Sequence, residues 1–292
     1  MALELRQLTP HFAAEATGVA LNRPLDADTV RAIDAAMDRY GVLVFRNQPL
    51  TQDEQMALGR AFGPLDMGFK RVKKGGPERL QYAELADISN VGADGKPVAR
   101  DSRKVVGNIA NQLWHSDSSF QNPPARYSML SAVTLPSWGG DTEYCDLRVA
   151  YDGLTAREKA EFADMQVEHY ALHSRFLLGD TDYDEVQRNA LPPVTWPLVR
   201  THPSGRKLLF IGVHARGIPG MSVAEGRALL MDLLEHATRP EYVYRHAWQV
   251  GDLVIWDNRA TLHRGRRYDL SEPRELRRVT TEDVAPALES AA

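Results

Sequence analysis

The chain is predicted to be mainly β with flanking helices, built as an antiparallel barrel or jelly roll. Three observations predict this. After residue 105, short runs rich in β-branched and aromatic residues dominate the sequence. These runs are spaced irregularly and do not alternate with helices, which disfavours a doubly wound parallel sheet. No change of composition and no linker divides the 292 residues, so a single domain over 1–292 is expected.

The elements follow in order. Residues 27–39 place Val30, Ile33, Ala36 and Met37 at helical spacing, and Gly41 ends that helix. The run Val42, Leu43, Val44, Phe45 reads as a short buried strand. Thr51 and Glu54 form a capping-box pattern before a second helix that ends near Gly63 and Pro64. Residues 66–105 then change character. Lys70, Arg71, Lys73 and Lys74 precede Gly75, Gly76 and Pro77, and Asn90, Gly92, Gly95 and Pro97 follow. So long a weakly periodic stretch reads as an active-site lid or, more blandly, as a solvated surface loop. Strands are expected at 126–135, 142–147, 207–214, 252–257 and 275–281, with helices at 155–165 and 222–237. Pro192 and Pro193 lie in an insert between strands.

Composition narrows the function classes. Hydrophobic residues at 43% and charged residues at 25% are ordinary globular usage, which excludes disorder, collagen and coiled coil. A net charge of -4 argues against a nucleic-acid partner. The single cysteine, Cys145, permits no intramolecular disulfide and no cysteine-rich zinc site. It reads as an inert core residue in a reducing cytoplasm. Residues 1–10 lack the pattern of a signal peptide, and no apolar run is long enough for a membrane span. A homo-oligomer is expected, since symmetric oligomers are common among soluble enzymes.

The sharpest chemical signal is Trp114-His115-Ser116-Asp117. In an extended chain alternate side chains point the same way, so His115 and Asp117 would face one point. His-x-Asp alone occurs often by chance; a third ligand makes it informative. His263 lies six residues beyond Asp257, after an apolar strand, and beside Arg264, Arg266 and Arg267. Nearby cations disfavour an imidazolium and leave a neutral ring able to bind metal. Two histidines and one carboxylate form the facial triad of non-haem Fe(II) oxygenases, with positions open for a chelating 2-oxo acid and O2. The bland alternative makes His263 a satisfied core or surface histidine. Arg274 and Arg278 are four apart, hence on one face of a strand. If that face looks inward, each guanidinium needs an anion, and bidentate carboxylates suit it. The alternative is a solvated charged strand.

The ordered set His115-x-Asp117, Thr142 in Gly-Gly-Asp-Thr, His263, Arg274 and Arg278 resembles the iron(II)- and 2-oxoglutarate-dependent dioxygenases of the taurine dioxygenase group. The resemblance runs from about residue 5 to residue 283. Stretches 82–90, 111–119, 174–182 and 263–268 are similar to the branch of that family that acts on aryloxyacetates. The resemblance implies a double-stranded β-helix (jelly-roll) core, with Fe(II) held by His115, Asp117 and His263. It implies that Thr142 and Arg274 hold the distal carboxylate of 2-oxoglutarate and that Arg278 meets the substrate carboxylate. Asn111, Arg71 and Lys96 would assist with an anionic aromatic substrate. His202 and His214 lie near the 207–214 strand and are candidates for the pocket wall. The implied reaction hydroxylates the carbon next to the ether oxygen of an aryloxyacetate such as 2,4-dichlorophenoxyacetate. It would yield the phenol and glyoxylate with succinate and CO2. Other readings are the same chemistry on another carboxylate or sulfonate, a zinc hydrolase, or a non-catalytic jelly-roll module that binds small acids.

Overall fold

The strand Leu253–Asp257 is buried along its whole length, and the rest of the fold is arranged around it. The computed structural model describes residues 3–68 and 79–284. In chain order the first strands are β1 (Glu4–Gln7), β2 (Ala14–Thr17), β3 (Val42–Phe45), β4 (Ala86–Ser89), β5 (Ala125–Thr134) and β6 (Thr142–Asp146). Next come β7 (Gln166–His169), β8 (Val194–Pro197), β9 (Val199–Thr201), β10 (Lys207–Leu209) and β11 (Ala215–Gly217). The last are β12 (Val243–His246), β13 (Leu253–Asp257), β14 (Thr261–Gly265) and β15 (Glu275–Glu282). The helices used below are α1 (Ala27–Tyr40), α2 (Gln52–Arg60) and α3 (Arg103–Ile109).

A large sheet has the order β1-β2-β3-β13-β5-β15-β4, and a small one has the order β12-β6-β14. Pairing is antiparallel apart from β2 with β3 in the large sheet. The chain passes from one sheet to the other after β5, after β12, after β13 and after β14, so the two sheets are stitched together at four places. Alternation along β13 builds two cores at once. Val254 and Trp256 pack with Val42, Val44, Leu130 and Tyr144 between the sheets. Leu253 and Ile255 pack with Ile33, Met37 and Met56 under α1 and α2. A third core lies outside the small sheet, where Cys145 and Leu262 meet Leu230 and Leu233 of the helix Val223–Ala237. The structure is thus mainly β with helices packed outside. No helix among the described residues is long and apolar enough to cross a membrane.

Local sequence explains most boundaries. The Asp26 side chain accepts from the backbone N–H of Thr29 and starts α1. Gly41 ends it in the left-handed region, at φ 67°, and donates its N–H to the Met37 carbonyl. A Cβ on Gly41 would also approach Arg148 Nη2 to 2.9 Å. Thr51 and Glu54 form the expected capping box of α2.

Two expectations need correction. The strand expected at 207–214 stops at Leu209, because the chain turns through Gly212, at φ 130°, and swings His214 towards His115. The stretch 66–105 is not one loop. Leu80 and Leu85 enter the core, β4 pairs with β15, and Ser102 caps α3. The part at 69–78, which holds Arg71, lies outside the described residues.

Candidate metal centre and anion pocket

His115 and His263 come from distant parts of the chain and are joined by backbone. Each donates its N–H to the other's carbonyl, at 3.0 and 2.8 Å, in an isolated bridge. That pairing sets the two rings side by side, with centroids 4.1 Å apart. His115 Nδ1 lies 2.8 Å from the Leu113 carbonyl, which can only accept. The proton is therefore on Nδ1, and Nε2 carries the lone pair. His115 Nε2 lies 3.7 Å from Asp117 Oδ1, and His263 Nε2 lies 3.8 Å from Asp117 Oδ2. These gaps are too long for hydrogen bonds. The three donor atoms lie within 4.8 Å of one another on buried residues. Two neutral ring nitrogens and a carboxylate that converge without bonding each other fit a divalent ion.

The electrostatics favour the ligand forms. Burial pushes His115 below its ordinary pKa, against the pull of Asp117. Burial and then the His115 ring push His263 well below it, again against Asp117. Arg264, Arg266 and Arg267, expected to keep His263 neutral, are not the cause. Arg264 and Arg266 turn to Glu143, at 2.8 and 3.6 Å, and the cation that acts on His263 is Arg278. Burial would raise the pKa of Asp117, but Arg278 and the two rings outweigh it and hold the carboxyl at about 2.

A cavity of about 420 Å³ opens beside the triad, lined by His263, Asn111, Thr142, Trp256, Arg274 and Arg278. Ile88, Val105, Ile109 and Leu130 give it an apolar wall, and Arg100, Trp138 and Arg267 also line it. Arg274 is buried, with Nη2 donating to the Gly140 carbonyl at 2.9 Å and its guanidinium over the Tyr268 ring. Its Nε has no partner among the described residues. Burial pulls Arg274 down to about 10. A guanidinium stays charged in a protein, so this one calls for an anion. Thr142 Oγ1 accepts from Trp248 Nε1 at 3.0 Å, which leaves its own proton to give.

The other expected site residues divide sharply. Arg278 lines the cavity, but its Nη1 bonds Asp117 Oδ1 at 2.6 Å. Its anion in this structure is therefore the triad carboxylate, with Nε left unpartnered among the described residues. Asn111 lies in the turn Ala110–Gln112 and lines the cavity. Lys96 does not. It sits on an exposed turn held by the Asp94 carboxylate, and that turn points outward. His202 does not reach the cavity either. It is buried on a different side, with Nε2 3.0 Å from Asp257 Oδ2 and Nδ1 2.8 Å from Ser204 Oγ. His214 falls between these cases. It is absent from the cavity lining but packs edge-on against His115, centroids 6.2 Å apart, and against Phe120. Cys145 is buried, and burial pushes its thiol up, as an inert residue requires.

Sequence reasoning missed the residues behind Asp117. Ser128 Oγ donates to Asp117 Oδ2 at 2.7 Å, and Asn258 bonds both Ser128 and the Asp117 backbone. The signal for Ser128 was present, as a polar residue at an inward position of an apolar strand.

Comparison with known proteins extends this picture. The family model described as "Taurine catabolism dioxygenase TauD, TfdA family" matches residues 4–280. An alpha-ketoglutarate-dependent 2,4-dichlorophenoxyacetate dioxygenase of Cupriavidus pinatubonensis is 62% identical over 286 residues, 98% of this chain and 99% of that protein. An (S)-phenoxypropionate/alpha-ketoglutarate-dioxygenase of Sphingobium herbicidovorans is 36% identical over 284 residues, 94% of this chain and 92% of its own. The crystal structure of AAD-2 with Mn(II) and N-oxalylglycine superimposes with a TM-score of 0.94 at 48% identity, covering 98% of this chain and 99% of that one.

Proposed function

The chain belongs to the taurine catabolism dioxygenase TauD, TfdA family, and from that premise we propose that its substrate is an aryloxyacetate such as 2,4-dichlorophenoxyacetate. It is an enzyme, an alpha-ketoglutarate-dependent dioxygenase that uses Fe(II), 2-oxoglutarate and O2. The zinc hydrolase and the non-catalytic binding module are set aside by that membership. On this reading the two stitched sheets are a double-stranded β-helix, and the described residues form one catalytic domain.

His115, Asp117 and His263 would hold Fe(II), which with 2-oxoglutarate and O2 supplies the oxidising chemistry and leaves succinate and CO2. The observation that carries the assignment is the buried Arg274, without a carboxylate partner among the described residues, in the same cavity as the Thr142 hydroxyl and His263 of the triad. A carboxylate there gains a guanidinium and a hydroxyl donor together. That is the recognition a dicarboxylate co-substrate needs at its far end. Arg278 would bind the substrate carboxylate through the donors not used by Asp117, which fixes the anion beside the triad. The apolar wall of Ile88, Val105, Ile109 and Leu130 would receive the aryl ring and exclude water. The carbon between ether oxygen and carboxylate would then be the one presented to the triad. Its hydroxylation gives a hemiacetal that collapses to the phenol and glyoxylate.

The test is a stoichiometric assay with Fe(II), 2-oxoglutarate, O2 and 2,4-dichlorophenoxyacetate. Succinate and dichlorophenol in equal amounts are expected. Succinate without phenol would transfer the same chemistry to another carboxylate or a sulfonate.

A further inference from the structure

We infer that Asn258 is a positioning residue for the metal centre, acting through Ser128 on the Asp117 carboxylate; this rests on the reading of Asp117 as a metal ligand. Asn258 is buried in the turn that carries the chain from β13 to β14, the strand that delivers His263. Its Oδ1 accepts from Trp256 Nε1 and from the Asp117 backbone N–H, both at 3.0 Å. An indole N–H and a peptide N–H can only donate, so the amide oxygen must face them. The amide NH2 must then face Ser128, and it donates to Ser128 Oγ at 3.0 Å.

This orientation decides the next bond. Ser128 accepts from Asn258 and has a single proton to give. Its two remaining neighbours are Asp117 Oδ2 at 2.7 Å and Thr280 Oγ1 at 3.0 Å. A carboxylate is the stronger acceptor, so the proton goes to Asp117, and Thr280 donates to Ser128. The chain Asn258 to Ser128 to Asp117 therefore runs one way. Arg278 occupies the other carboxylate oxygen at 2.6 Å. Both oxygens are thus tethered from behind, and the carboxylate is held facing the two ring nitrogens.

Asn258 also sets the spacing of the ligand arms. Its carbonyl accepts from Ser116 Oγ at 2.6 Å, and its side chain holds the Asp117 backbone. The His115–Asp117 segment and the β13–β14 turn that leads to His263 are thereby tied at one residue. Asn258→Asp keeps the size but cannot donate. Ser128 would then donate to the new carboxylate, and Asp117 Oδ2 would lose its donor.

The experiment is Mn(II) titration of the chelator-treated full-length protein by calorimetry, alongside thermal unfolding of the metal-free forms. Asn258→Asp should raise the Mn(II) Kd by about 10–100-fold, as loss of an outer hydrogen-bond partner does. Ser128→Ala should move Kd the same way, Ser128→Thr should restore it, and Asn258→Asp combined with Ser128→Ala should be no worse than Asn258→Asp alone. A structural role would lower the unfolding temperature of these variants with Kd unchanged, and that outcome overturns the inference. So does a Kd that shifts in Asn258→Asp but not in Ser128→Ala. Should Asn258→Asp fail to fold, the Ser128 pair decides. If wild type and Asp117→Ala bind Mn(II) equally, the metal-ligand reading itself fails.

Discussion

Among the described residues histidine and carboxylate come together in two groups of three, and they are wired in opposite ways. In His115, Asp117 and His263 the ring nitrogens stop 3.7 and 3.8 Å short of the carboxylate. In Asp38, His202 and Asp257 the corresponding contact closes to 3.0 Å between His202 and Asp257. There Arg259 also grips both oxygens of Asp257, at 2.7 to 3.2 Å, so a cation is already built in. Ligand-type residues in proximity thus do not make a metal centre. What distinguishes one is donor atoms that converge and leave one another unsatisfied, beside a cavity. The closed group instead clamps the start of the turn between β13 and β14, with Asp257 accepting from the Arg259 backbone N–H.

The contrast can be broken at three points. Arg259→Met should have the largest effect on stability, about 3–5 kcal/mol, because it leaves the Asp257 charge buried without its guanidinium. Urea denaturation measures this, and Mn(II) affinity of the folded protein should stay at the wild-type value. If affinity fell in step with stability, the two groups would not be separable. Asp117→Ala should do the reverse and weaken Mn(II) binding at least about 100-fold, beyond the usual loss for an outer-shell partner. Wild-type affinity in that variant would move the metal elsewhere.

The third point uses pH. In the unfolded chain His263 takes a proton near the ordinary histidine value of 6.5, whereas burial keeps the folded ring neutral well below that. The unfolded state therefore binds more protons below pH 6.5. The stability contributed by the neutral ring is complete above 6.5 and is lost as pH falls towards the folded pKa. Each such ring adds a slope of about 1.4 kcal/mol per pH unit in that window. Metal-free His263→Gln should therefore lose stability less steeply between about pH 6.5 and 5 than wild type, by about that slope. Equal slopes would show that His263 is as basic folded as unfolded.

How much of this was legible in the sequence depends on what each residue faces. Helix α1 was readable because its apolar spacing and the closing Gly41 agree. The triad was readable because His115 and Asp117 are two apart and His263 follows an apolar strand. Strand β14 was not, since its inward position carries His263 between Thr261 and Gly265 and shows no apolar alternation. The edge strand β4 is four residues long, and its Asp87 is spent on Arg79 and Lys104. The Arg278–Asp117 pair spans 161 residues, so spacing along the chain holds no trace of it. Lys96 and His202 carry the right chemical groups but face solvent and the closed cluster, and residue type says nothing of facing.

On the reading that Arg274 holds the far carboxylate of the co-substrate, Gly140 has a consequence for which diacid is accepted. It lies in the left-handed region, at φ 80°, and a Cβ built there would stand 2.8 Å from Arg274 Nε. The depth at which the buried positive charge stands is thus set by a missing methyl group. That makes position 140 a ruler for carbon-chain length. Anything larger than hydrogen would displace the guanidinium and, on the same reading, change the length of acid that reaches it.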